Sequence, residues 1–156
     1  MPETPPQAAD PDVRELVTFR VAGQDFCMDI MSVREIRGWT PSTALPHAPD
    51  HVRGVINLRG AVVPIVDLAQ RLGLGPVSPT ARHVIIIARL GAQTVGLLVE
   101  AVSDILTVPL AAIQPTPEIA GPELQGTIEG VIARGDRMIR MVALDSLLHG
   151  KTREVG

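Results

Sequence analysis

The sequence predicts an all-β fold, and three observations support this. Eighteen Val and thirteen Ile make up about a fifth of the 156 residues, and β-branched side chains favour the pleated sheet. Apolar and polar residues alternate in short runs, which is the pattern of half-buried strands. Fourteen Gly and fourteen Pro supply turns between these runs. About nine or ten short strands at close intervals indicate a β-barrel or β-sandwich rather than βαβ units.

The first third of the chain is predicted to hold a tail, a β-hairpin and one further short element. Residues 1–14 contain four prolines and three acidic residues, and they predict a disordered tail because they offer almost nothing to bury. The hairpin joins a strand at Leu16–Val21 to a returning strand at Asp25–Ile30. Met31–Ile36 is predicted as a short helix or strand, and residues 38–50 as a loop that contains three prolines.

The middle of the chain predicts two hairpins separated by a short helix and a linker. Asp67 is placed to cap a helix that ends at Leu72, because its carboxylate can accept bonds from the first backbone N–H groups. Residues 73–79 are predicted as a linker. The predicted strands of the two hairpins are His51–Leu58, Ala61–Val66, Arg82–Leu90 and Gln93–Val99.

The last part predicts one long strand, an irregular connection, a hairpin and a helix. Glu100–Val108 is expected to be extended, and residues 109–122 contain four prolines and are expected to be irregular. A hairpin is expected to join Ile128–Ala133 to Met138–Val142. Leu144–Leu148 is predicted as a short helix that begins near Asp145.

Two stretches of the chain resemble each other. Gly54-Val55-Ile56 and Gly130-Val131-Ile132 are each followed by a glycine turn, a second strand and a short helix with an aspartate near its start. A duplication of one unit would produce this pattern. Any two β-hairpins also look alike, so the sequence leaves both explanations open.

Composition excludes several classes of function. The net charge is −3, and Phe19, Phe26 and Trp39 are the only aromatic residues, so a nucleic-acid-binding surface is not expected. No run of about 18 apolar residues exists to span a bilayer. The N-terminus has no secretory signal. Cys27 is the only cysteine, so no intrachain disulfide is expected. The expected compartment is the cytoplasm.

The residues that could support catalysis do not form a convincing site, so no enzyme, cofactor or metal site is predicted. Cys27 could be a nucleophile, but strict alternation predicts a small exposed or half-buried residue facing away from its neighbours. His47 and His51 could bind a metal from a loop, although prolines prevent the helix that would align them. Asp67 and Asp145 are better explained as helix caps than as an acid–base pair.

A binding surface is the remaining interpretation, and two segments are candidates for it. Arg59 lies at a hairpin tip before a glycine, where it could be a solvated turn residue or a rigidly presented ligand for a carboxylate. In Val33–Gly38 the two apolar residues, Val33 and Ile36, flank two charged ones. That segment could be ordinary core with exposed charge or an apolar patch with a charged rim.

Five segments of the chain together form a specific motif pattern. The strongest is Val-Arg-Gly-Val-Ile-Asn-Leu-Arg-Gly at Val52–Gly60, followed by Val-Val-Pro-Ile-Val-Asp-Leu at Val62–Leu68. The other segments are Val33–Gly38, Val95–Leu106 and Gly135–Ile139. In this combination and order, they resemble the CheW family of chemotaxis coupling proteins. The resemblance covers nearly everything except the tails. It therefore assigns the family domain to residues 15–149 and a C-terminal tail to residues 150–156.

The resemblance implies a fold of two small five-stranded β-barrel lobes, similar to SH3 or OB barrels, with short helices and with strands that can be exchanged between lobes. It also implies an adaptor without catalytic activity. Such an adaptor links the cytoplasmic tip of methyl-accepting chemoreceptors to the regulatory domain of the histidine kinase CheA. It would be cytoplasmic and recruited to membrane receptor arrays. The alternative is a related coupling module in a pilus or developmental pathway.

Carried over by position, the resemblance implies a receptor-facing groove for an amphipathic helix. Val33 and Ile36 would supply apolar contacts, and Glu35 and Arg59 would fix the register of the partner. Gly54 would permit close backbone approach.

The resemblance also implies a kinase-facing surface on strand ends further along the chain. Its residues would be Val95, Val102 and Ile105, with the last two as apolar contacts.

Overall fold

The computed structural model describes residues 12–115 and 127–149, and within them it contains ten strands, two short α-helices and two 3-10 turns. The helices are Leu68–Arg71 (α1) and Leu144–His149 (α2), and the 3-10 turns are Ile30–Ser32 and Leu110–Ala112. The strands are Val13–Val21 (β1), Gln24–Asp29 (β2), Val33–Gly38 (β3), Val52–Leu58 (β4), Ala61–Asp67 (β5), Val84–Leu90 (β6), Gln93–Val99 (β7), Ala101–Pro109 (β8), Ile128–Arg134 (β9) and Arg137–Val142 (β10).

The predicted all-β class is confirmed, with small differences at the ends of elements. β1 begins at Val13, inside the segment predicted as a tail, because it pairs there with Pro109 of β8. Met31–Ile36 contains both predicted alternatives, since a 3-10 turn leads directly into β3. Residues 1–11, 116–126 and 150–156 lie outside the described residues, and with them most of both predicted tails and part of the irregular connection.

The strands form two sheets, which we name lobe A and lobe B. Lobe A has the strand order β8-β1-β2-β10-β9, and lobe B has the order β3-β6-β7-β5-β4. Within residues 12–115 and 127–149, neither sheet closes into a continuous barrel, and an isolated bridge joins the edge regions of each sheet, from Thr43 to Val55 in lobe B and from Gln114 to Val131 in lobe A. The predicted fold class, with five strands in each lobe, is confirmed, and each lobe is an incompletely closed barrel.

The two lobes repeat the same topology. In each one, the fourth strand of the sheet order runs parallel to the third, and every other neighbouring pair is antiparallel. Irregularities in register also fall at equivalent positions, at residues 34 and 53 of lobe B and residues 103 and 129 of lobe A. Lobe B runs β3-β4-β5-α1-β6-β7 along the chain, whereas lobe A begins with β8-β9-β10-α2 and takes β1-β2 from the start of the chain. Lobe A is thus a circular permutation of lobe B.

The shared register supports a duplication rather than a chance similarity. Gly54 pairs with Ile65, and Gly130 pairs with Met141, so the two glycines are equivalent. The same register makes Asp67 equivalent to Ala143. The predicted equivalence of Asp67 and Asp145 is therefore wrong. Asp67 caps α1, whereas Asp145 lies within the first turn of α2.

The apolar residues form three clusters, one inside each lobe and one between the lobes. The cluster between the lobes, here called the interlobe core, is isologous, because each lobe contributes equivalent positions to it. The equivalent pairs in this core include Val66 with Val142, Leu68 with Leu144, Ala88 with Phe19, Val95 with Phe26 and Leu97 with Met28.

Several central strands are buried on both faces because they lie between two cores. In β6, Ile86 faces the interlobe core, while Ile85 and Ile87 face the interior of lobe B. This explains the run Val-Ile-Ile-Ile, which lacks the alternation of a strand with one solvated face.

Glycine is required where the edges of each sheet meet. A Cβ atom on Gly54 would lie 2.4 Å from the carbonyl oxygen of Thr43, and its φ of +152° also disfavours other residues. A Cβ atom on the equivalent Gly130 would lie 2.6 Å from Cγ2 of Ile113. Both glycines sit directly before the residue that forms the closing bridge, so they let the neighbouring backbone reach β4 or β9.

We expect Gly130→Ala to destabilise the protein by about 1–3 kcal/mol, because the new methyl group overpacks the contact with Ile113. Gly38→Ala is the matched control, since Gly38 also lies in a strand and has open space around its Cβ position. Urea unfolding would measure both variants. Equal stability of the two variants would contradict a steric requirement at Gly130.

Candidate functional site

The apolar residues of β3 form a strip at the margin of the interlobe core. Val33 pairs with Ala88 and Ile36 pairs with Ile86, and these two partners lie on the same face of β6. In a regular strand, residues three apart face opposite sides. The irregularity at Arg34 therefore brings Val33 and Ile36 to one side. Val33 packs against the interlobe core, and Ile36 remains 47% exposed.

Glu35 projects to the other side of β3, where it contacts two arginines. Its carboxylate accepts a hydrogen bond from Arg37 at 3.0 Å and a second, short one from Arg59. β3 and β4 are the two edges of the lobe B sheet, and Arg59 follows β4 directly. The Glu35–Arg59 ion pair therefore spans the opening that the sheet leaves between its edges.

The β4–β5 turn holds Arg59 in a defined position. Arg59 and Gly60 both have positive φ, 50° and 88°, as tight two-residue hairpin loops require. Asn57 accepts a hydrogen bond through Oδ1 from the backbone N–H of Gly60 at 3.0 Å. The sequence Asn-Leu-Arg-Gly thus encodes a self-stabilised turn that presents a guanidinium group.

Two open grooves lie on either side of this ion pair. One has a volume of about 410 Å³ and is lined by Arg37, Thr43 and Asn57 among others. The second has about 340 Å³ and is lined by Arg34, Glu35 and Arg59 among others. Val62, which is 67% exposed, lines both grooves. The surface therefore combines apolar side chains with a surplus of guanidinium groups.

Gly54 is placed differently from the expectation. It is buried, and the backbone that approaches it closely is that of Thr43 in the same chain. Its role in the site is therefore indirect, because it positions the loop that leads away from β3.

The residues expected at the second surface divide into two groups. Val102 packs at the margin of the interlobe core, and Ile105 is 57% exposed. Val95 is a correction, because it lies inside the interlobe core and is only 2% exposed. β7 is flanked by β6 and β5 in the sheet, so Val95 has almost no surface to offer a partner.

The two surfaces are equivalent strips on the two lobes, a relation that the sequence interpretation missed. Val102 pairs with Phe19, which is equivalent to Ala88, so Val102 corresponds to Val33. By the same register Asp104 corresponds to Glu35 and Ile105 to Ile36. The signal was present in the sequence, as Val-Arg-Glu-Ile at 33–36 and Val-Ser-Asp-Ile at 102–105. We name Val33 and Ile36 the β3 strip, and Val102 and Ile105 the β8 strip.

The strips differ in their charged partners. Arg59 of lobe B corresponds to Gly135 of lobe A by turn position. Asp104 accepts a hydrogen bond from the backbone N–H of Ile105 at 2.9 Å, and within the described part of the chain it forms no ion pair. The β8 strip therefore keeps the apolar residues and lacks the guanidinium cluster.

Comparison with known proteins decides the family. A sequence model described as "CheW-like domain" matches residues 15–152. The chain belongs to the CheW family. It is 59% identical over 134 residues to the "Probable chemotaxis protein CheW" of Rhizobium etli, with 86% of each chain covered. It is 58% identical over 141 residues to the "Chemotaxis protein CheW" of Rhizobium meliloti, covering 90% of this chain and 91% of that one.

A solved structure supports the same assignment. The scaffolding protein TtCheW from Thermoanaerobacter tengcongensis superposes with a TM-score of 0.78 at 30% identity, covering 86% of this chain and 91% of the other. As a CheW family member, the chain is a chemotaxis coupling adaptor.

The catalytic alternatives gain no support from the geometry. Cys27 is fully buried in the interior of lobe A, which corrects the expectation of a partly exposed residue. Burial raises the pKa of its thiol to about 12, whereas a nucleophilic cysteine needs a lowered pKa. His47 lies in an exposed loop, and within residues 12–115 and 127–149 no three metal-ligating side chains cluster. None of the helices in that part of the chain could span a membrane.

We expect Cys27 to resist alkylation in the folded protein, because the pKa of about 12 and complete burial leave almost no accessible thiolate. Iodoacetamide at about pH 8 should modify it only as the chain unfolds. Mass spectrometry in the presence and absence of urea measures this. Rapid modification without urea would contradict the burial and revive the catalytic alternative.

Glu35 should make stability dependent on acid pH. The hydrogen bond from Arg59, and next that from Arg37, lower the pKa of its carboxyl below the ordinary value of 4.5. A folded-state pKa below the unfolded value means that the contribution is complete above 4.5 and is lost as pH falls through the folded value. As the pH falls below about 4.5, the wild type should therefore lose more stability than Glu35→Gln.

Urea unfolding at several pH values measures this difference. Glu15→Gln is the matched control, because Glu15 is exposed on a strand and has no ion pair within the described ranges. A pH profile of Glu35→Gln that superposes on those of the wild type and the control would show that the ion pair contributes nothing.

Proposed function

We propose that this chain links the cytoplasmic tip of methyl-accepting chemoreceptors to the regulatory domain of the histidine kinase CheA, so that receptor state controls kinase activity. The observation that carries this proposal is the pair of equivalent apolar strips on separate lobes. A protein with two such surfaces can hold two partners at once, which is what an adaptor must do. The array of receptors would recruit it to the membrane surface.

The β3 strip suits a helical receptor tip. Val33 and Ile36 lie on one side and offer apolar contact to the apolar face of an amphipathic helix. Arg59 is held by Glu35 at the edge of the neighbouring groove, where it would select acidic groups on the partner. Charges of this kind favour the correct register more than they add affinity. Gly54 would contribute only by shaping the adjacent loop.

The β8 strip is proposed as the kinase-facing surface. Val102 and Ile105 supply the apolar contacts there, and Val95 is left out because it is buried. Without a counterpart of Arg59, this strip would recognise a less acidic surface than the β3 strip does. The difference in charge gives a physical reason for two distinct partners.

The alternative is a coupling module of a pilus or developmental pathway. The two Rhizobium relatives bear chemotaxis names at high identity, which favours motility. The genes that neighbour this one would distinguish the pathways, since the adaptor fold serves either.

We expect Ile36→Arg and Arg59→Glu to weaken binding of a purified receptor cytoplasmic fragment by about tenfold or more, because the first puts a charge into the apolar contact and the second reverses the charge that would face acidic groups of the partner. Ile105→Arg should instead weaken binding of the CheA regulatory domain by a similar factor. Isothermal titration with each partner separately measures both affinities, and circular dichroism verifies folding.

Two kinds of control are used, the second binding partner and a substitution outside both grooves. Each strip variant should retain the other partner, and Arg82→Glu reverses the charge of an exposed arginine that lines neither groove. Loss of receptor binding in Ile105→Arg with kinase binding intact would overturn the assignment of the β8 strip. Unchanged receptor binding in folded Arg59→Glu would overturn that of the β3 strip.

A further inference from the structure

The two short helices meet where the lobes join. Arg71 is the last residue of α1 in lobe B and is only 7% exposed. Its Nε donates to the carbonyl oxygen of Leu147 at 3.2 Å, and its Nη2 donates to that of Ser146 at 3.0 Å. Both acceptors belong to α2 of lobe A. A residue of one lobe therefore satisfies the carbonyls of the third and fourth residues of a six-residue helix of the other lobe.

The position of this contact is set by the internal symmetry. Because Leu68 is equivalent to Leu144, Arg71 is equivalent to Leu147, the residue whose carbonyl it binds. Equivalent residues touch each other in an isologous arrangement only near the twofold axis. Arg71 thus lies close to the pseudo-twofold axis that relates the lobes.

Arg71 differs in kind from the rest of the interlobe contact. The interlobe core is apolar, and the hydrophobic attraction that holds it has no preferred direction. Two hydrogen bonds from a planar guanidinium to two successive carbonyls allow one orientation. Both acceptors are among the last four residues of α2, and the last four carbonyls of a helix lack intrahelical donors and favour a cation. Burial lowers the pKa of Arg71, and arginine remains charged even so.

We infer that Arg71 is the positioning residue that fixes the orientation of lobe A relative to lobe B. Because the β3 strip and the β8 strip lie on different lobes, Arg71 also fixes the angle between the two docked partners. This second consequence rests on the proposed function. Arg71 touches neither strip, so it would transmit signal without contributing to the affinity for either partner.

The orientation is tested by electron paramagnetic resonance distance measurement between the lobes. Spin labels on Ala92→Cys and Asp136→Cys report the separation, because both positions lie in exposed turns, one on each lobe. Buried Cys27 stays unlabelled, which a sample without the two new cysteines verifies. We expect one narrow distance distribution in the wild type.

Arg71→Met should broaden this distribution by about twofold, since it keeps an unbranched apolar stem and removes both directional donors. Arg71→Lys should give an intermediate width because it restores charge without the planar fork. Gln70→Met on the same helix is the matched control and should leave the width unchanged. A distribution in Arg71→Met as narrow as that of the wild type would overturn the inference.

The functional consequence is tested in a reconstituted receptor–kinase assay. Arg71→Met should keep its affinity for each separate partner within about twofold, while the receptor-dependent change in kinase activity falls by about fivefold or more. Failure of the wild type to bind either partner would refute the proposed function and leave the distance result standing. If Arg71→Met broadens the distance distribution but still gives full receptor control of the kinase, the signalling role of the orientation is refuted. The positioning role of Arg71 would then stand.

Discussion

The apolar interface between the lobes is the constraint on which the structure depends. Each lobe is a five-stranded sheet that encloses only a small cluster of its own, and the largest cluster lies between the lobes. Central strands therefore contribute alternate residues to two cores, the interlobe core and the interior of their own lobe. Phe26 and Met28 enter the interlobe core from β2, while Cys27 between them enters the interior of lobe A. The same interface carries both strips at its margins, through Val33 and Val102.

Local patterns predicted the elements well because strands, turns and caps are set by neighbouring residues. The hairpin at Arg59-Gly60 and the cap at Asp67 follow from turn and capping chemistry that acts within four residues. The sequence did not predict how exposed individual side chains are. Alternation assigned Cys27 to the correct face, but that face is buried by strands far away in the chain. Val95 failed as a surface residue for the same reason, since only the sheet order reveals that β7 is flanked on both sides.

The sequence indicated which residues belong to the site better than it indicated how they are arranged. The resemblance named Val33, Ile36, Glu35 and Arg59, but a strand without an irregularity would have separated the two apolar residues. The register shift at Arg34 brings them together, and it appears only when β3 pairs with β6. The repeat was partly visible in the two glycine motifs. Its permuted order hid the rest, because the counterparts of β6 and β7 stand at the opposite end of the chain, in β1 and β2.

The permuted order of lobe A has a consequence for synthesis on the ribosome. All five strands of lobe B lie within residues 33–99, so they are complete before β8 emerges. β2 must wait for β10, its parallel neighbour, until nearly the whole chain has been translated. During that interval lobe B can already be assembled, while the part of its apolar face that packs against the end of β10 and α2 remains uncovered. The nascent chain therefore passes through a stage at which a chaperone or a premature contact could compete for this face.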